Sequence, residues 1–439
     1  MGLPRRLPFR FGVPVLVAGV AFASLAAAPI HGTVLPLRAD GLAIGHDGSP
    51  VVVQANSGAE YHEGTSVLST VGRDEPAWES AAAEQAWFNA GTPPSGAYAD
   101  MAERAIRDIR LLTDSTGAAI AAPVTAWRHV WPRDAAFVTA ALATTGYHYD
   151  AALVLSFLAG VAPEDGLWEA RYRSDGSGPV SDGRAPQMDG AGWVPWATWL
   201  AVESAPDPAH AAAVTRMMAP AVIASADAIT ASIGDDGLPE PSSDYWERPE
   251  TEVTIGTVAP MSLGLRSAIA LAPGLDVDPE PWRQAALDLE AAIDREFGPH
   301  GYPRTAPDGG LDAAVSFLAP PFAPASESVR RAVLATESAL RVPNGGHKPG
   351  EIWAKDVNVG WTPETAMLAL ALAGHGDHAD ARRLLDFLDL HRTGLGALPE
   401  KVDASGRPAS VAPLGLTGAI VILTLIEMER GVPVVPAVL

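Results

Sequence analysis

The chain has 439 residues, 48% hydrophobic and 19% charged, and a formal net charge of −22 from 30 basic against 52 acidic side chains. Such a length buries a large core. The acidic balance lacks the basic face that phosphate backbones require, which argues against a nucleic-acid partner and favours neutral or cationic ligands. With no cysteine in the chain, a disulfide framework, a thiolate nucleophile and a cysteine-held zinc are excluded.

At the N-terminus, Arg5, Arg6 and Arg10 precede an uncharged, mostly apolar stretch over residues 11–28. Residues 1–28 read as a secretory signal, with Ser24-Leu25-Ala26 as the small-x-small cleavage site. An uncleaved membrane anchor is the alternative, since the stretch approaches the length of a spanning helix. Either way the protein is expected to be exported, extracellular or held at the cell surface, and no soluble protein partner is evident. Residues 29–75 read as a short lead-in with hints of strand alternation at residues 51–54. Residues 76–439 form the body.

From Trp78 onward the pattern is alanine-rich and helix-period, broken by Gly, Pro and Asp. It predicts helices at 79–89, 98–113, 132–145, 149–162, 192–204 and 208–233. Further helices are expected at 255–272, 281–297, 311–318, 326–341, 363–373, 378–390 and 413–430. Pro132 and Pro363 suit first helical turns, and Asp207 and Ser326 suit N-caps. Residues 414–425 are too few to span a membrane and read as a core helix. Long polar, aromatic loops at 162–191, 234–254, 341–362 and 391–412 alternate with short ones. That alternation suits helix hairpins packed in a ring, the long loops gathered at one end, where function concentrates.

Four motifs lie in or beside those loops. Trp131-Pro132-Arg133-Asp134 opens a helix; Arg and Asp side by side can hold vicinal hydroxyls, or Asp134 can complement the helix dipole with Arg133 paired to it. Gln187 and Asp189 are equally apt for hydroxyls or for a capped turn. In Asp244-Tyr245-Trp246-Glu247, a carboxyl beside an indole is the kind of group that serves as a general acid, though a solvated loop Glu beside a packing Trp is the plainer alternative. Leu398-Pro399-Glu400 brings a second loop carboxylate, which alone would read as a surface residue. Two carboxylates, an Arg–Asp pair and tryptophans together match the needs of glycoside hydrolysis.

In this order the four motifs resemble glycoside hydrolase family 15, the glucoamylases and glucodextranases, over most of the body. The resemblance implies an all-α (α/α)6 toroid and an exo-acting, inverting α-glucosidase acting on α-linked oligosaccharides or polysaccharides without metal or organic cofactor. It implies Glu247 as general acid, Glu400 as general base, and Arg133 and Asp134 on the terminal sugar. Trp131 and Trp246 would line the pocket, with Gln187 and Asp189 near it. The two carboxyls of an inverting pair stand roughly 6.5–9.5 Å apart.

Two positions depart from the family. Arg248 follows the acid where many members carry a second acidic residue, and Lys348 or Lys355 stands where an Arg is usual. A cation beside the acid motivates the alternative of a carbohydrate-binding protein on the same toroid with impaired chemistry. Terpenoid cyclisation, a third toroid chemistry, lacks its Asp-rich metal-diphosphate run here.

Overall fold

The helix-period segments form twelve α-helices among residues 35–438, which the computed structural model describes. They are α1 (Ala77–Phe88), α2 (Ala99–Leu112), α3 (Pro132–Thr144), α4 (His148–Val161), α5 (Met188–Glu203) and α6 (Pro208–Ser232). After them come α7 (Ile255–Leu271), α8 (Glu280–Glu296), α9 (Glu327–Leu340), α10 (Thr362–Gly374), α11 (His378–Leu390) and α12 (Gly415–Arg430). The expected signal segment lies outside the described residues.

Two kinds of helix alternate along the chain. In α10 every residue from Thr362 to Ala373 is buried, whereas α11 buries only one stripe: Ala381, Leu384, Leu385, Phe387 and Leu388. A helix apolar all round belongs inside, and an amphipathic one belongs outside it. Accordingly α3, α5, α7, a 3-10 segment (Ala313–Leu318), α10 and α12 pack side by side in that order, and α12 closes on α3. Around them α2, α4, α6, α8, α9 and α11 each pack on an inner element. This is the all-α (α/α)6 toroid.

Close approach in the inner ring depends on glycine where α5 meets α7. A Cβ added to Gly264 would stand 2.6 Å from the Gly192 Cα, so neither position admits a side chain. Phe137, Trp193, Trp196, Phe317 and Phe322 meet in tilted and edge-to-face pairs across the inner elements and fill the core.

The fourth inner element, the 3-10 segment, differs from the expected helix at 311–318. Asp312 caps it by accepting from the Ala314 N–H (2.9 Å), but Pro320 and Pro321 follow Ala319, and two successive rings remove two N–H donors that a longer helix would need, where α5, α6 and α7 each absorb only one internal proline. Asp207 caps α6 as expected, accepting from the His210 N–H at 2.8 Å. Ser326 does not cap α9; its hydroxyl pairs instead with Ser328 Oγ at 2.8 Å.

Helices α6 and α7 are long and apolar enough, by length and composition, to cross a membrane, yet both are built into the toroid. In the lead-in, β1 (Ala39–Ile44) pairs antiparallel with β2 (Pro50–Gln54).

The long loops are pinned by very short strands. β3 (His129–Val130) pairs with β4 (Tyr172–Arg173), and β5 (Gly360–Trp361) with β6 (Lys401–Val402) and β7 (Pro408–Ala409). A bridge between Gln187 and Ser243 joins two more loops. Trp361 of β5 and Glu400, just before β6, line a cavity there.

Candidate active site

That cavity measures about 330 Å3 and is lined by residues of every long loop, with the N-terminal ends of α3, α10 and α12. Trp131, Arg133, Asp134, Trp246, Glu247 and Glu400 all line it. Six of the ten site residues read from the motifs are thus brought together.

Glu247 is aimed by a rigid loop. The Asp244 carboxylate accepts from the Trp246 N–H (2.9 Å) and the Thr254 hydroxyl (2.8 Å), while its carbonyl accepts from the Glu247 N–H (2.8 Å). Glu247 itself sits at φ +54°, a left-handed conformation that costs a non-glycine residue energy and clusters at functional sites.

Beneath the loop lies Arg304, which sequence reasoning missed. Its buried guanidinium reaches Asp244 (2.8 Å), Glu250 (2.7 Å) and Asp312 (3.0 Å) and stacks under the Trp246 ring at 3.7 Å. The Tyr245 hydroxyl donates to the same Asp312 at 2.5 Å. A buried cation with three carboxylates is tolerable only because each is also hydrogen-bonded. It leaves the aromatic-acid triplet little freedom.

The Glu247 carboxylate accepts from the Trp131 indole N–H at 2.5 Å, and Arg133 Nη2 approaches it at 3.7 Å. So the indole that touches the acid is Trp131, and Trp246 forms the neighbouring wall. Arg133 is buried and held as a cation. Burial alone would lower its pKa, but Asp189 at 2.9 Å, Asp134 at 3.6 Å and Glu247 outweigh it. Asp134 Oδ2 has no hydrogen-bond partner; burial pushes this carboxyl up to about 6 against the pull of Arg133, with Glu247 and Asp189 adding to the rise.

Glu400 enters from the other side. Its carbonyl accepts from the Thr362 N–H (3.0 Å) and its N–H donates to Val411 (2.8 Å), beside the β5–β6–β7 pairing. The Ser410 hydroxyl donates to its carboxylate. Trp353 meets Trp246 at 4.8 Å and Trp361 at 5.3 Å, both edge to face, forming an aromatic wall of the cavity. Among the described residues, the buried indole N–H groups of Trp246, Trp353 and Trp361 find no acceptor.

The remaining four site residues do not line the cavity. Asp189 is buried behind Arg133 and positions it. Gln187 is the N-cap residue of α5 and is also buried. Arg248 turns away from the acid, lying over Trp246 at 4.4 Å with Nε on Glu250 at 2.8 Å, because the left-handed turn at Glu247 separates their side chains. Lys348 donates to the Glu351 carbonyl at 3.1 Å, and Lys355 is exposed. The cations that do line the cavity are Arg133, Arg171 and Arg184. Arg184 reaches Glu247 Oε2 at 3.2 Å and Asp182 at 3.2 Å.

Glu364, in the first turn of α10, was also missed. A signal for it existed. Trp361-Thr362-Pro363-Glu364 repeats the pattern of Trp131-Pro132-Arg133-Asp134, a tryptophan N-cap with Pro and an acid in the first turn after a long loop. Conversely Trp193 and Trp196 are core, so a count of tryptophans does not locate the cavity. Among the described residues no cluster of His, Asp and Glu is arranged to hold a metal ion.

Comparison with known proteins agrees with this picture. Residues 96–164, which carry Trp131-Pro132-Arg133-Asp134, match the family model described as Glycosyl hydrolases family 15. A wild-type glycosidase structure aligns at 20% identity and a TM-score of 0.63, over 75% of this chain and 96% of its own. A glucoamylase from Saccharomycopsis fibuligera aligns at 13% identity and 0.58, over 73% and 90%. A bacterial glucoamylase complexed with acarbose aligns at 17% and 0.59, over 82% and 62%. No curated protein matches by sequence. Motifs, family model and fold agree on one kind of protein, a glycoside hydrolase resembling family 15.

Proposed function

We propose that the protein is an exported, exo-acting, inverting glycosidase that releases glucose from the non-reducing ends of α-linked oligosaccharides. The observation carrying this reading is that Glu247 and Glu400, from loops far apart in sequence, line one cavity together with the Arg133–Asp134 pair. Glu247 gives its proton to the glycosidic oxygen as the C1–O bond breaks. Glu400 takes a proton from a water that attacks C1 on the opposite face, so an α-bond yields β-glucose. Arg133 as donor and Asp134 hold hydroxyls of the terminal sugar. The acarbose complex of one neighbour and a glycosidase in complex with glucose are in keeping with a saccharide ligand.

One contact favours a second reading, a carbohydrate-binding protein without turnover. Arg184 and the Trp131 indole already engage both oxygens of Glu247, as in a structural ion pair.

The test is glucose release from maltose, isomaltose, dextran and trehalose, with the anomer followed by NMR, for wild type and Glu247→Gln. Release of β-glucose by wild type, lost by about 100-fold or more in the variant, supports the proposal. An unchanged rate in Glu247→Gln removes it from the acid role. Sugar binding without release by wild type establishes the second reading.

A further inference from the structure

Glu364 is 5% exposed, lines the cavity, and has one carboxyl oxygen, Oε2, sealed from solvent without a hydrogen-bond partner. Leaving a buried polar atom unpaired is costly, and native structures rarely do so without a reason.

Helix capping does not supply one. A Glu at the third helical position serves by reaching back to the N–H of the N-cap residue. Here that residue is Trp361, and its N–H already donates to the His347 carbonyl at 2.8 Å; the next, Thr362 N–H, donates to Glu400. No cation forms an ion pair with the carboxyl either, since Lys401 is paired with Asp356 at 3.3 Å and lies over the Trp361 ring. The group faces a cavity whose nearby walls include the apolar Met367, Leu414 and Leu416. The carboxyl is supported by Glu364's own N–H, and Oε2, without a partner among the described residues, is the oxygen left for a molecule bound in the cavity once the side chain turns toward it.

We propose that Glu364 is a hydroxyl-binding residue of the sugar pocket, the unpartnered oxygen of its carboxyl pairing with one hydroxyl of the terminal sugar beside Glu400 and selecting against sugars that lack it. The inference rests on reading the cavity as a saccharide pocket. Burial pushes the Glu364 carboxyl up to about 8 against the hydrogen bond from its own backbone N–H, with Glu400 and Asp312 adding to the rise and Lys401 opposing it. At neutral pH it is therefore mostly protonated and offers both a donor and an acceptor, the two functions a hydroxyl can meet. A site built to hydrogen-bond a hydroxyl rejects the analogue without it, because the protein's own group is then left unpaired.

The experiment measures kcat/KM of wild type, Glu364→Gln and Glu364→Met on the preferred disaccharide and on analogues deoxygenated singly at each hydroxyl of the non-reducing sugar. Calorimetric binding of the same panel to Glu247→Gln and its Glu364 double variants runs beside it. Wild type should penalise one deoxy position by about 10- to 100-fold. Glu364→Gln, which keeps a donor and an acceptor, should retain that penalty, and Glu364→Met should cut it to less than about threefold at that position alone. Should the Met variant not fold, Glu364→Ala carries the same comparison. An unchanged pattern of penalties in the apolar variant overturns the proposal while leaving the pocket reading intact. So does loss of all turnover in Glu364→Gln, which would put Glu364 in the reacting pair. Failure of any sugar to bind overturns the pocket reading and this one together.

Discussion

Trp131, the N-cap residue of α3, donates its indole N–H to Glu247 Oε1 over 2.5 Å, tying the start of one inner helix to the loop that opens another. The contact fixes where the acid points. A hydrogen bond to a charged group is worth about 1.5–3 kcal/mol. Trp131→Phe keeps an aromatic ring but deletes the donor, and kcat/KM should fall by roughly 10- to 100-fold with the melting temperature little changed. Steady-state kinetics beside a thermal melt check this, and a wild-type rate would show that Trp131 does not orient the acid.

Arg304 joins Asp244, Glu250 and Asp312 under Trp246. Removing it leaves buried carboxylates without their cation, so Arg304→Met should cost about 3–5 kcal/mol of stability. Arg304→Lys should also be destabilised, since an ammonium cannot reproduce a fork reaching three partners. Denaturant titration with the midpoint and slope reported separately would measure both.

Arg248 follows the acid in sequence but is 42% exposed and paired with Glu250. Arg248→Ala should therefore leave kcat/KM within about threefold of wild type, the range of an ordinary surface substitution. A gain of tenfold or more would restore Arg248 as the residue that impairs catalysis.

Glu364 makes stability depend on pH in a direction opposite to a salt-bridged acid. Its carboxyl is raised from 4.5 to about 8 in the folded protein by burial first, with Glu400 and Asp312 also facing it and Lys401 opposing. Between those values the folded state binds more protons than the unfolded one, so this group's contribution falls as pH rises. The slope is on the order of 1 kcal/mol per pH unit across that window. Wild type minus Glu364→Gln, measured by denaturation at pH 5, 6.5 and 8, should lose stability steadily with pH. A flat difference refutes the raised carboxyl.

Much of this architecture was legible before any coordinates. Local signals carry the helices: Pro132 at the first position of α3, Asp207 capping α6, and the contrast between α10, apolar all round, and the striped α11. The order of the four motifs pointed to Glu247 and Glu400 together, and both line the one cavity. Which cations surround Glu247 was not. Arg248 adjoins it in the chain, but the left-handed turn at φ +54° sends the two side chains apart, and Arg133 and Arg184 arrive from other loops. Arg304 was invisible because its role depends on three carboxylates converging from separate segments. The 3-10 segment was misread as a helix because its apolar residues keep the right spacing, and only the prolines after it shorten the element.

The closure of α12 on α3 sets the order in which the chain can be completed. Ring contacts between the third helix and the last have a large sequence separation, and such contacts slow folding because their loop entropy is lost before they are rewarded. During synthesis α3 would leave the ribosome with its α12-facing side bare until nearly the whole body had followed. The last stave decides when the barrel becomes watertight.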